Sequence, residues 1–328
     1  MDRKIILNKL ELAYAPMSSF EFSHSKEDPY IEYILEEASL YIIAQRPILT
    51  FEYVFPHYAD HALTFEIHQK GNPNKLICKF PFFQKSLETS SKDTIAIAVD
   101  SLDKDTFEPK LPFKNLYGFS VVKQNDGVNK FIKWFSPEKL LQNWWAGLID
   151  CEISGDYSSF LNYKVHYIGK ATKQGVLKRL TGHSRFQDIL SMENPITYKD
   201  LPAHEIAILY FKFNDNIQIQ SFGGSSDMDE MKSSLLGENF PSQEKIFLDV
   251  EKALINAMGP KYNRELFKGY PKSKDGLYKD NYSYVSYSFV DPITLIYRNG
   301  EIRGSRKHDD ADSIVIKENK EVSVVKMN

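Results

Sequence analysis

At 328 residues, with 42% hydrophobic and 13% aromatic side chains, the chain exceeds what one core usually fills and is too apolar for disorder, so two domains are expected. A formal net charge of −3 excludes a surface coated in positive charge and confines any nucleic-acid contact to patches. Two cysteines, Cys78 and Cys151, exclude a disulfide framework and a four-thiolate zinc site.

The N-terminus, MDRKIILNKLELAYAP, lacks a long apolar signal region, and no run reaches the roughly 18 apolar residues of a membrane helix. A soluble cytoplasmic protein with no membrane partner is the expectation. Ser25 to Asp28 can cap a helix in which Tyr30, Ile34, Ala38 and Ile42 recur every four positions and which Pro47 ends. Strand-like runs follow at 49–55, 62–68, 76–83 and 94–99, the second and third separated by the turn composition KGNPN. The many Phe and Tyr of this α+β half read as ordinary core, with a base-stacking surface as the rival reading. His57, His61 and His68 are spaced too irregularly, with no cysteine or paired carboxylate beside them, for a metal site.

A junction falls between Ser136 and Trp144, where SPEKLLQNWW opens with a Ser-Pro helix signal and ends in two tryptophans. Gly147 to Ile153 alternates as a strand, and Gly155 to Asn162 reads as a polar loop. Tyr163 to His183, YKVHYIGKATKQGVLKRLTGH, then runs from a strand through Gly169 into a polar exit, Lys170 to Thr172. From Gln174 it turns helical, with Val176, Leu177 and Leu180 on one side and Arg179 and His183 four apart on another. Between Leu161 and Leu190 six cations, Lys164, Lys170, Lys173, Lys178, Arg179 and Arg185, face one acid, Asp188. A strand is indicated at 204–213, a Gly-, Ser- and acid-rich insertion at 223–241, and a helix from Pro241 and Ser242 to Met258, stopped by Gly259 and Pro260. Runs at 284–289, 294–297, 313–317 and 322–325 read as β-hairpins.

On the helix ending at Met258, Glu251 has Phe247 and Ile255 four positions away and Leu248 and Leu254 three away. A carboxylate among such neighbours is costly unless it is paired with a cation, protonated or bound to a metal. Taken singly, Asn263 in GPKYN is a turn residue, Tyr167 a strand-end aromatic and Lys170 a surface cation.

Taken in order, these pieces resemble the GIY-YIG nuclease superfamily over about residues 145–268. The matching residues are Tyr167, Ile168 and Gly169 with Lys170, then Arg179 and His183, then Glu251 in VEKALINAMGPKYN, then Asn263. The Arg-to-His spacing is most like the restriction-endonuclease branch. The resemblance implies an α+β chain whose core is a small mixed or antiparallel three-stranded sheet flanked by helices. Around it would stand a separate α+β N-terminal domain over 1–140, the nuclease domain over 141–268 and a β-hairpin C-terminal extension over 269–328. The family's first-motif tyrosine has two registers here. Gly155-Asp156-Tyr157 keeps the ten-residue gap to Tyr167 but looks like a loop, whereas Gly147-Leu148-Ile149 looks like a strand but puts Ile149 where tyrosine belongs. Tyr157 and Tyr163 both stay open as the source of the hydroxyl.

Phosphodiester hydrolysis needs an activated water, a neutraliser for the phosphoryl oxygens and help for the leaving oxygen. The resemblance assigns these tasks to Tyr167, Lys170, Arg179, His183, Glu251 and Asn263. Glu251 would hold one Mg²⁺ or Mn²⁺, Arg179 grip the phosphate, and Tyr167 meet the water, its phenol pKa depressed by Lys170 or His183; Asn263 would orient the site. The expectation is a metal-dependent endonuclease acting on nucleic acid, DNA before RNA, in restriction or defence against foreign DNA, with a homodimer as the route to double-strand cleavage. Two other readings stand beside it: an inactive nucleic-acid-binding member of the fold, and a nuclease gated by a ligand- or protein-sensing N-terminal half.

Overall fold

The computed structural model describes residues 3–101, 107–125, 128–172, 175–193, 204–224, 227–307 and 310–327; Lys173 and Gln174 of the basic stretch lie outside them. The chain opens with β1 (Arg3–Leu12), whose alternate residues Ile6, Asn8, Leu10 and Leu12 are buried, and the short β2 (Met17–Ser18). Ser18 and Asp28 cap α1 (Ser19–Ser25) and α2 (Pro29–Ile34), their side chains accepting from the Glu21 and Tyr30 N–H groups. The expected helix over Tyr30 to Ile42 stops there. Leu40-Tyr41-Ile42-Ile43-Ala44 continues as β3 (Leu40–Pro47), apolar at successive positions because both of its faces are covered.

Six strands follow: β4 (Leu49–His57), β5 (Ala62–Gln69), β6 (Lys75–Pro81), β7 (Thr94–Ser101), β8 (Leu116–Asn125) and β9 (Val128–Phe135). Ser136 caps α3 (Pro137–Trp145) by accepting from the Lys139 N–H, and Pro137 sits at its first position. Of the strand expected over Gly147 to Ile153, only the end is extended, as β10 (Glu152–Ser154) paired antiparallel with β6. These strands form one sheet in the order β10-β6-β5-β4-β8-β7, with β9 on β8. Phe51, Phe65, Phe80, Phe119 and Phe135 stack at its core, neighbouring centroids 5.1 to 5.9 Å apart.

The chain continues with β11 (Asn162–Lys170), α4 (Val176–Thr181), α5 (Ser184–Glu193) and the long β12 (His204–Ser221). Within the Gly- and Ser-rich insertion lies α6 (Met228–Leu235). Then comes α7 (Gln243–Met258), capped by Ser242 and ended by Gly259, whose φ of 55° needs no Cβ. Five short strands close the sequence: β13 (Tyr284–Phe289), β14 (Thr294–Tyr297), β15 (Gly300–Arg303), β16 (Ser313–Lys317) and β17 (Glu321–Val325).

The expected small three-stranded core, with its separate N-terminal domain and C-terminal extension, does not form. Strand accounts for 41% of the described residues against 23% helix, and β11 belongs to a ten-stranded, nearly closed barrel-like mixed sheet. Its order is β15-β14-β11-β3-β12-β1-β13-β16-β17, with β2 added to β12. β11 pairs antiparallel with β3 from the N-terminal part and parallel with β14 from the C-terminal part. Both ends of the sequence are therefore built into the sheet that carries Tyr167. At its two edges, Arg303 at the end of β15 donates to the Met327 carbonyl just past β17, at 3.0 Å.

This sheet curls about α7, which lies against β11, β16 and β17. The Phe247 ring meets Phe213 of β12 at 4.3 Å, and Asp249 accepts from the Tyr287 hydroxyl of β13 at 2.7 Å. A second cluster, formed by Tyr41, Ile43, Ile206, Ile208 and Tyr210 with residues of α1, α2, α4 and α5, covers the other face of β3 and β12. The chain divides into two compact units: Met1–Arg46, Leu161–Pro195 and Ile206–Asn328 make one, and Pro47–Phe160 with Ile196–Glu205 the other. Residues 47–160 of the second unit are thus inserted between β3 and β11 of the first. No helix among the described residues is long and apolar enough to cross a membrane.

Candidate active site

Six sequence-predicted residues gather around the C-terminal end of β11, and a seventh joins them from β3. In the antiparallel pairing of these strands, Gly169 stands opposite Tyr41. A methyl group at Gly169 would lie 2.6 Å from ring atoms of both Tyr41 and Tyr167, so only glycine lets two tyrosine rings cross the strand there. The rings are tilted by 31° with centroids 6.0 Å apart. His183 stands edge-on to both, 6.1 Å from Tyr41 and 5.0 Å from Tyr167.

Tyr41 is buried, and its hydroxyl faces the Tyr167 hydroxyl and the Arg179 guanidinium without closing a hydrogen bond to any described residue. Leaving such a group unsatisfied costs free energy that a bound water or phosphate oxygen would recover. Burial pushes both phenols above the usual tyrosine pKa. At Tyr167 the Glu251 charge adds to the rise, while the Tyr41 hydroxyl, Arg179 and Arg185 offset part of it. Both hydroxyls therefore keep their protons near neutral pH.

Gly182 ends α4, so Arg179 and His183 belong to different helices instead of sharing one face. His183 opens α5: its Nδ1 accepts from the Phe186 N–H at 3.3 Å, which leaves the ring proton on Nε2. Burial, then the charges of Arg179 and Arg185, push the imidazole down to about 4. The positive end of α5 opposes protonation as well. The histidine is therefore a neutral hydrogen-bond donor at pH 7.

Glu251 reaches this end of β11 from α7 and forms an ion pair with Lys170 through Oε2. Its side chain is 12% exposed, and Oε1 makes no hydrogen bond among the described residues. Asn263, in the turn after α7, grips the Ile168 backbone at two points. Its Oδ1 accepts from the Ile168 N–H at 3.0 Å, and its Nδ2 donates to the Ile168 carbonyl at 2.8 Å. Among the described residues no three His, Cys, Asp or Glu side chains gather to hold a metal ion. A hydrated Mg²⁺ or Mn²⁺ shared between one carboxylate and a substrate phosphate asks less than that, and the remaining Glu251 oxygen fits the demand.

The tyrosine beside Tyr167 is neither of those weighed from the sequence. Tyr157 meets Trp144 edge-on at 5.3 Å in the inserted unit, Ile149 is buried in that unit, and Tyr163 is buried in β11 opposite Leu295 of β14. Tyr41 was hidden by the four-residue recurrence of Tyr30, Ile34, Ala38 and Ile42, which reads as a helix and leaves Tyr41 off its face. The opposing signal is the unbroken apolar run at 40–44, which suits a buried strand. No protein-family model, curated protein or solved structure matches the chain.

Proposed function

We propose that the chain is a metal-dependent endonuclease of the GIY-YIG kind, hydrolysing phosphodiester bonds in nucleic acid, DNA before RNA. The observation that carries this reading is the buried Tyr41 hydroxyl, left unsatisfied beside Tyr167, Arg179 and His183, with Glu251 and Lys170 at the same strand end. Arg179, exposed on α4, grips the scissile phosphate with its planar fork. The protonated hydroxyls of Tyr41 and Tyr167 hold the attacking water in line; the proton it loses as the new P–O bond forms passes to solvent, and the leaving oxygen takes one from solvent as its P–O bond breaks. His183 donates its Nε2–H to a phosphoryl oxygen and, staying neutral, does not compete for the metal ion's role as counter-charge. Lys170 fixes the Glu251 carboxylate, and Asn263 fixes the strand end that carries Tyr167. A divalent ion on Glu251 would supply neutralisation of charge on the phosphoryl oxygens. Cutting foreign DNA inside the cell, with two chains pairing to break both strands, belongs to the same proposal.

The test is nicking of supercoiled plasmid by the purified chain with Mg²⁺ or Mn²⁺. Glu251→Ala and Arg179→Ala are each expected to reduce the rate by about a hundred-fold or more. Equal nicking by wild type and Glu251→Ala would sink the assignment. A second reading, an inactive nucleic-acid-binding protein, is favoured by one observation, the engagement of a Glu251 oxygen by Lys170. Salt-sensitive binding with no cleavage of DNA or RNA in either metal decides for it.

A further inference from the structure

We propose that the inserted unit carries a nucleobase-stacking site on β4, formed by Tyr53 and Lys114, which takes single-stranded nucleic acid. It rests on the nuclease reading only in taking nucleic acid as the ligand. The site begins with a break in the β4–β5 ladder. Glu52 pairs with Glu66 and Phe55 with Thr64, so Tyr53 and Val54 together oppose the single residue Phe65. This bulge re-aims a side chain that regular pleating would place elsewhere. Val54 turns inward and is buried, while Tyr53 adopts φ 53° and stands 45% exposed. A left-handed backbone at an aromatic residue is unfavourable, and nothing in Tyr53 compensates for it locally.

A second segment is built against the bulge. Val54 and Phe113 exchange backbone hydrogen bonds of 2.8 and 3.0 Å, and the Asn115 N–H donates to Glu52 Oε2 at 3.1 Å. Asn115 also has φ 53°, and between these two anchors Lys114 is directed over the Tyr53 ring, its Nζ 4.6 Å from the centroid. Two left-handed residues on two segments thus converge on one exposed aromatic and one exposed cation. His68 lies 6.2 Å from Tyr53, and Phe55, itself partly exposed, meets His57 edge-on at 5.0 Å.

Charge selects the occupant. Of the two carboxylates on the strands around the bulge, Glu66 is ion-paired with Lys75 and His68, whereas Glu52 accepts only from the neutral Asn115 N–H and Thr50 hydroxyl. Lys114 forms no ion pair among the described residues and is available to meet an anion. Lys114 covers one face of the Tyr53 ring, so a base stacks on the face it leaves, or moves the ammonium aside to its phosphate, without reading sequence. A duplex, whose bases are stacked on each other, presents no free face to the ring.

The test is fluorescence anisotropy of the full chain with a labelled oligothymidylate of roughly twenty nucleotides, in EDTA so that binding is read without cutting. Oligouridylate and a duplex of the same length serve as separate arms. Tyr53→Ala and Lys114→Ala are each expected to weaken single-strand binding by about ten-fold, while Tyr53→Phe keeps it. Tyr53→Asn separates function from folding, because asparagine tolerates positive φ: its melting temperature should rise while its affinity falls. Preference for thymidylate or uridylate identifies DNA or RNA as the strand taken. Unchanged affinity in Tyr53→Ala and Lys114→Ala, binding of duplex alone, no binding by wild type, or a lower melting temperature in Tyr53→Asn would each overturn the proposal. Plasmid nicking by the wild type, measured apart with Mg²⁺, still reports on the nuclease reading in all four cases.

Discussion

His183 shows how a few ångströms of backbone decide what a side chain can do. The break at Gly182 moves it from the end of one helix to the start of the next, where its Nδ1 accepts the Phe186 N–H. The resemblance made it a cation candidate for lowering the Tyr167 pKa; the structure holds it neutral, with its imidazole pushed down to about 4 by burial, Arg179 and Arg185. The sign of the pH effect follows. Above about pH 6.5 the histidine is neutral whether the chain is folded or not, and it imposes no cost. As pH falls from there towards 4, the unfolded chain takes up a proton that the native ring refuses, so stability is lost across that window. His183→Gln is expected to flatten this part of the dependence, read as urea midpoints at about pH 7.5 and about pH 5. An unaltered difference between the two midpoints would show that His183 is not the group responsible.

At the scale of elements, the site depends on how α7 and β11 are tied. Asn263 performs that tie through the Ile168 N–H and carbonyl, on the residue between Tyr167 and Gly169. Asn263→Ala leaves both backbone groups without these bonds and is expected to cost roughly 1–3 kcal/mol in thermal unfolding. Asn263→Asp keeps the acceptor and loses the donor, so it should fall between wild type and alanine. If the clamp positions Tyr167, magnesium-dependent nicking falls by more than the unfolded fraction at assay temperature explains; a loss matching that fraction would make Asn263 merely structural. Much of this element layer was legible. α7, its Ser242 cap and its Gly259 stop, the Tyr-Ile-Gly strand and the five stretches at 49–55, 62–68, 76–83, 94–99 and 284–289 follow from period and turn chemistry. β3 was not, because a strand buried on both faces has no alternation, and its residues happened to extend a four-residue recurrence begun on α2.

At the scale of the whole molecule, what stayed invisible is which strands pair. Local pattern carries no information about β11 lying between β3 and β14, pairings that span more than a hundred residues of sequence. The missing partner of Tyr167 was sought just upstream, where a hairpin would put it, and the 47–160 insertion moved it to Tyr41. That insertion also makes a prediction. Gln45 and Lys164 are register partners in an antiparallel pair, so once residues 47–160 are removed a short loop from Arg46 to Tyr163 can join the two strands. A chain in which Asn-Gly replaces residues 47–160 keeps β3, β11, α4, α5 and α7, and with them Tyr41, Tyr167, Lys170, Arg179, His183, Glu251 and Asn263. It is expected to unfold cooperatively and to nick plasmid with Mg²⁺ within about ten-fold of the full chain, because every residue of the proposed site lies in the first unit. Its affinity for oligothymidylate should drop by about ten-fold, because Tyr53 and Lys114 leave with the insertion. A shortened chain that folds and binds as tightly as the parent moves strand recognition into the first unit; one that folds and cuts nothing, while the parent cuts, shows that the seven residues around β11 are not the whole of the site.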